Sequence, residues 1–233
     1  MNPHYHGLIL AGGRGTRFWP RSRRRSAKQV LNVVGERSLI QSTVDRLAPV
    51  IPPERLWVLT SEDLRETIVR QLPEIPRKQV LAEPASRNTA PAIGLAAHIL
   101  HAVDPDAVMG VFPADHVVSK PAAYRATVRA ALKGAAAGHL MVVGIQPRWP
   151  ETGYGYIEFP TNAKPGTAQP LPVRRFHEKP KLAKARCRKI EKIPIVGLLA
   201  SRKNQAVACI AAGVGAIIVV RIMECESHLR HGP

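Results

Sequence analysis

Cysteine, aromatic side chains and acidic groups are all scarce in this chain of 233 residues. Its three cysteines, Cys187, Cys209 and Cys225, are too few and too irregularly placed for a disulfide framework. Aromatic residues make up 5% of the chain and stop at Phe176, so the last 57 residues have none. Aspartate and glutamate number 17 against 34 lysines and arginines, a formal net charge of +17. That imbalance favours a polyanionic partner: nucleic acid, an anionic membrane or a phosphorylated small molecule. The apolar run Ala206–Val220 falls short of the roughly 20 residues a spanning helix needs, and Gly213 and Gly215 weaken it further, so no membrane partner is expected. The opening residues Met1–Gly13 pass from a short apolar run into glycine, without the layout of a signal peptide, and a cytoplasmic protein is expected.

What is present reads as a globular α/β chain. At 45% hydrophobic residues it is too apolar for disorder, and its length suffices for one full domain. Strands are predicted over Gly7–Leu10, Arg55–Thr60, Gln79–Leu81, Ala107–Phe112 and Leu140–Gly144. Helices are predicted over Glu62–Gln71, capped by Ser61, over Ala90–Ala102, with Thr89 as N-cap and Pro91 in the first turn, and over Ala122–Ala137. Apolar strands alternating with helices imply a mostly parallel sheet covered on both faces. Ligands in such sheets sit at the carboxyl ends of strands, where Gly12-Gly13 and Asp115 both fall. The regularity ends near residue 186: residues 181–233 hold 10 basic and 3 acidic groups and no aspartate. A domain over 1–186 and an atypical tail over 187–233, outside that fold, are therefore expected.

Four segments carry chemistry. Leu10-Ala11-Gly12-Gly13-Arg14-Gly15-Thr16-Arg17, with Lys28 further on, places three glycines where backbone N–H groups can approach a phosphate. Arg17 and Lys28 add charge, one as a fork and one as a point. The spacing fits neither the dinucleotide fingerprint nor a P-loop, and a tight strand–helix turn is the plain alternative. Pro113-Ala114-Asp115-His116 puts a carboxylate at a strand end facing that loop, a position suited to Mg²⁺ or to an ordinary turn aspartate. In Glu83-Pro84-Ala85-Ser86-Arg87-Asn88-Thr89, the polar residues can cap the following helix or meet a base edge. Glu151-Thr152-Gly153-Tyr154-Gly155-Tyr156 suits a close approach to a sugar, or a hairpin bulge. Glu178-Lys179 is either a functional pair or a surface ion pair of little energetic weight.

In order and spacing, from about Tyr5 to Arg186, these segments resemble the catalytic domain of the mannose-1-phosphate guanylyltransferases (GDP-mannose pyrophosphorylases), within the sugar nucleotidyltransferases. The opening Leu10–Arg17 is shared by sugar nucleotidyltransferases in general. Phe18–Ser22, Arg87–Ala92, Phe112–His116 and Glu151–Tyr156 narrow the likeness to the mannose branch. The resemblance implies a Rossmann-like nucleotidyltransferase sheet, incomplete at its C-terminal end. It also implies that GTP and mannose 1-phosphate react to give GDP-mannose and diphosphate, with Mg²⁺ as cofactor. Leu10, Ala11, Gly12, Gly13, Gly15, Thr16, Arg17, Glu83, Arg87, Asn88 and Thr89 would hold the nucleotide. Gly153, Tyr154, Glu178 and Lys179 would hold the sugar phosphate. Arg17, Lys28 and Asp115 would be catalytic, with Asp115 on the metal. A homodimer is compatible with it. Ala27 and Ser86 depart from the usual residues without removing a catalytic group.

The resemblance stops after Arg186, where the family continues into an aromatic stretch and a second metal carboxylate. One choice of codons for Glu191–Ser201, read two bases later, is similar to that stretch, so a shifted reading frame near residue 187 and an impaired activity are expected. The competing expectations are a different sugar-1-phosphate nucleotidyltransferase and an inactive nucleotide- or sugar-phosphate-binding remnant. A nucleic-acid-binding protein is disfavoured, since no basic helix or aromatic platform of the usual modules is present.

Overall fold

The computed structural model describes residues 2–13, 27–33, 35–85, 89–144, 152, 155–158, 170–177 and 217–221. Strands β1 (Tyr5–Ala11), β2 (Leu56–Ser61), β3 (Val80–Glu83) and β4 (Val108–Pro113) run parallel, with β1 between β2 and β4 and β3 outside β2. Parallel neighbours need long crossovers. These contain α1 (Leu39–Leu47), α2 (Glu62–Gln71) and α3 (Thr89–Val103), and α4 (Pro121–Ala136) follows β4. Beyond it come β5 (Met141–Val143), a two-stranded antiparallel pair β6 (Tyr156–Glu158) and β7 (Arg175–His177), and β8 (Ile217–Arg221). The expected parallel α/β sheet is the one observed.

Side chains alternate along each strand, and that period of two divides the core. Ile9, Val58, Val108 and Phe112 face a cluster built with Ile40 and Val44 of α1, Leu64 and Ile68 of α2, and Val128 and Leu132 of α4. Leu8, Trp57, Leu59, Met109 and Val111 face Ala92, Ile93, Ala96 and Leu100 of α3. Helices therefore lie on both faces. The Phe112 ring crosses Gly7 and Gly110 so closely that a Cβ on Gly110 would come within 2.7 Å of it. This close approach seats the end of β4 just before Asp115.

Helix α1 is absent from the expectations above, although Ser38 and Gln41 form a reciprocal capping box at its start. Ser61 stands at the N-cap of α2 but makes no capping bond with its side chain. Glu62 and Asp63 in the first turn favour that helix end instead, through its dipole. Thr89 is the first residue of α3. Five residues of the segment expected to lie outside the fold, Ile217–Arg221, pair antiparallel with both β4 and β5 and join those two strands into one six-stranded sheet. Four β-branched residues in succession, Ile217 to Val220, favour a strand. Among the described residues no helix is long and apolar enough to cross a membrane.

Candidate active site

Parallel register brings the carboxyl ends of β1 to β4 to one edge, where Ala11 pairs with Thr60, Ser61 with Glu83, and Leu10 with Pro113. Leu10 stays partly buried against the α3-side core, and Ala11 is buried. Past them the chain enters Gly12-Gly13. Among the described residues, a Cβ on Gly13 would meet nothing within 4 Å. A Cβ on Gly12 would lie 3.2 Å from Glu83 Oε1, so the bare Cα lets the carboxylate close on the loop. Burial pushes the Glu83 carboxyl above the usual carboxylate range.

Opposite the loop, Lys28 Nζ donates to Asp115 Oδ2 at 3.1 Å. Both side chains are partly open to solvent, at 26% and 40%. Lys28 opens a single 3-10 turn, Lys28–Val30, and Asp115 follows β4. The turn behind Asp115 is held by α1: Arg46 Nη2 donates to the His116 carbonyl at 3.3 Å, and Thr43 Oγ1, whose shorter bond at 2.9 Å goes to the Leu39 carbonyl, lies 3.4 Å from the Ala114 carbonyl. The buried Arg46 guanidinium lies over the Tyr124 ring, 5.2 Å from its centre. Burial lowers the pKa of His116; Asp115 opposes this, while Arg46 and Lys28 reinforce it.

The structure thus brings Leu10, Ala11, Gly12, Gly13, Lys28, Glu83 and Asp115 to one edge, with Thr89 at the start of α3. The candidates Gly15, Thr16, Arg17, Arg87, Asn88, Gly153, Tyr154, Glu178 and Lys179 lie outside the described residues. Sequence reasoning missed Gln29. It is 4% exposed, and its Nε2 donates to the carbonyls of Ala11 at 2.5 Å and Gly13 at 3.1 Å. The available signal was a second polar residue directly after Lys28, between the apolar Ala27 and Val30.

No group of three His, Cys, Asp or Glu that could hold a metal ion occurs among the described residues. Asp115 is a hard oxygen donor beside the loop, its side chain 40% exposed. That fits Mg²⁺, which is commonly held by one or two carboxylates with water and substrate phosphates completing its shell.

A family model described as nucleotidyl transferase matches residues 6–210. Over 188 residues the chain is 40% identical to a mannose-1-phosphate guanylyltransferase of Sinorhizobium fredii, covering 79% of this chain and 36% of the relative. It is 44% identical over 180 residues to the xanthan biosynthesis protein XanB of Xanthomonas campestris, covering 76% and 37%. The chain thus spans a little over a third of the length of these curated relatives. Among solved structures it is similar to a mannose-1-phosphate geranyltransferase, so titled, from Thermus thermophilus. That likeness has a TM-score of 0.69 at 29% identity and covers 92% of this chain and 57% of the other.

Proposed function

We propose, from the premise that this chain belongs to the nucleotidyl transferase family, that it joins GTP to α-D-mannose 1-phosphate, giving GDP-mannose and diphosphate. The observation that carries the reading is the Lys28–Asp115 pair beside a glycine turn at the carboxyl edge of the sheet. A loop that presents backbone N–H groups, a cation and a hard carboxylate side by side suits a polyphosphate. The names of the curated relatives supply the choice of guanine and mannose.

An oxygen of the sugar phosphate attacks the α-phosphorus of GTP in line. The bond from that phosphorus to the bridging oxygen breaks, and diphosphate leaves with the electron pair. The nucleophile is already an anion, so positioning and charge neutralisation dominate over proton transfer. Gly12 and Gly13 receive the phosphates, and Lys28 offsets the charge that builds on the leaving group. Asp115 would hold Mg²⁺, which when bound would supply positive charge to the triphosphate. Arg17 adds a second cation, Glu83, Arg87, Asn88 and Thr89 seat the nucleoside, and Gly153, Tyr154, Glu178 and Lys179 meet the sugar phosphate.

A coupled diphosphate-release assay of the purified chain, run with GTP, UTP or dTTP against mannose 1-phosphate or glucose 1-phosphate, tests the reading. Release confined to GTP with mannose 1-phosphate is expected. Preference for another pair would reassign the substrate. GTP binding without release would leave a binding protein.

A further inference from the structure

Gln29 has no part in the reaction above, yet it occupies an unusual position. It sits in the buried turn between β1 and α1, with Lys28 on one side and Val30 on the other. The turn is itself pinned from outside: Gln71 Nε2 donates to the Val30 carbonyl at 3.1 Å, and Leu39 N–H to the Leu31 carbonyl at 3.3 Å. From this fixed base the Gln29 carboxamide directs its donors to the carbonyls of Ala11 and Gly13, one on each side of Gly12. The Ala11 carbonyl is held a second time, by Thr60 Oγ1 at 3.0 Å.

A trans peptide is planar, so its N–H points opposite to its C=O. Drawing the Ala11 carbonyl towards Gln29 and Thr60 turns the Gly12 N–H the other way. Drawing the Gly13 carbonyl towards Gln29 sets the direction of a second carbonyl, two peptides along. Between them lies the Gly12–Gly13 peptide, whose two glycines would otherwise sample wide backbone space. We propose that Gln29 is a positioning residue for the glycine turn: it turns the carbonyls of Ala11 and Gly13 away from the ligand and presets the turn's amides for the anionic oxygens of a nucleotide. An unheld glycine turn can aim carbonyls at a phosphate as readily as amides, and each wrong choice repels it. Lys28 belongs to the same turn and meets Asp115. One three-residue element thus sets the geometry of both the amide and the charged half of the site.

The inference rests on the nucleotide-binding reading, and its test separates the two. GTP and mannose 1-phosphate affinities would be measured by calorimetry for the wild type, Gln29→Met and Gln29→Glu, without reliance on turnover. Gln29→Met, similar in size but without donors, should weaken GTP about ten-fold or more and mannose 1-phosphate by less than about three-fold. Gln29→Glu should lose GTP binding at pH 8, where a carboxylate faces two carbonyls. It should regain part of it, relative to wild type, as the pH falls and a protonated carboxyl donates again. Equal loss of both ligands, or no recovery at lower pH, would reduce Gln29 to a structural residue and overturn the proposal. In the free wild-type protein the Gln29 side-chain amide protons should exchange slowly with solvent. Fast exchange that slows only after GTP is added would show that the nucleotide shapes the turn, which also overturns it. That measurement decides alone if the variants do not fold. A wild type that binds no GTP but protects Gln29 would refute the nucleotide reading while leaving the carbonyl-holding geometry intact.

Discussion

The two ends of the parallel sheet hold similar polar side chains in opposite states. At the amino end the Asp104 carboxylate takes up His4 Nδ1 and His6 Nε2, each at 3.0 Å, and the Asp106 backbone N–H at 3.1 Å. Arg55 donates to the Asn2 carbonyl beside them at 2.7 Å. Burial pushes the Asp104 carboxyl up, but its bonds with His4, His6 and Asp106 outweigh this and hold it below the usual range. At the carboxyl end Lys28 and Asp115 pair while partly open to water, Glu83 is desolvated beside Gly12, and no described residue comes within 4 Å of a Cβ placed on Gly13. A cluster turned in on its own bonds ties β1 to the turn before β4, with His6 Nδ1 buried and without a hydrogen-bond partner among the described residues. A cluster set around a bare loop keeps donors and acceptors that a ligand can complete. Residue type alone does not separate the two, since an aspartate with basic partners stands at each end.

Substitutions that are mild in size should break this contrast cleanly. Asp115→Asn removes the hard oxygen donor while keeping the shape, and Mg²⁺-dependent diphosphate release should fall by about a hundred-fold or more. The melting temperature should stay close to wild type, because a half-exposed carboxylate after β4 is not part of the core. Retained release would take Asp115 out of the metal site. Lys28→Met should follow with a loss of roughly ten- to a hundred-fold in GTP affinity, the usual weight of a charged contact in a partly desolvated site. A change within about two-fold, by calorimetry, would remove Lys28 from the phosphate site.

At the other end the readouts exchange places. Asp104→Asn cannot accept from both imidazoles as the carboxylate does, and one partner is left without its bond. A loss of about 1–3 kcal/mol in urea unfolding is expected, with GTP affinity unchanged. Weakened GTP binding without lost stability would mean that the amino end communicates with the site, and the comparison would fail.

Much of this was legible from residue order. The strands announced themselves as apolar, β-branched runs, and β1 and β4 ended where glycines and an aspartate took over. Helix α1 was equally legible in its Ser38–Gln41 box, although it follows a basic, non-periodic stretch. β8 was hidden by a change in composition, although Ile217–Val220 is as strand-like as any segment. Gln29 and the His4–Asp104–His6 cluster could not be read, for a physical reason. Gln29 acts on carbonyls 16 and 18 residues away, and His4 meets a carboxylate 100 residues on. Such bonds depend on strand register, which only the folded sheet supplies.

The smallest expected effect concerns pH and sharpens the account of the amino end. Burial lowers the pKa of His6 below its ordinary 6.5; Asp104 opposes this, while Arg55 and His4 add to it. The unfolded ring therefore takes up a proton more readily than the folded one. As pH falls below about 6.5, the unfolded state gains protons first and stability should decline, with a slope of at most about 1.4 kcal/mol per pH unit for one group. Asp104, whose folded value lies below 3.8, adds a second decline only in more acidic solution. His116, also lowered by burial, contributes to the first decline from the other end of the sheet. His6→Gln separates these contributions. Its Nε2 can donate to Asp104 as the ring does, yet it does not titrate. Urea unfolding at pH 8, 7, 6 and 5 should show a shallower decline for His6→Gln than for wild type, the remainder coming from His116. Parallel curves for the two proteins would mean that His6 titrates alike folded and unfolded, and that the amino-end cluster is no more shielded from water than the site it is contrasted with.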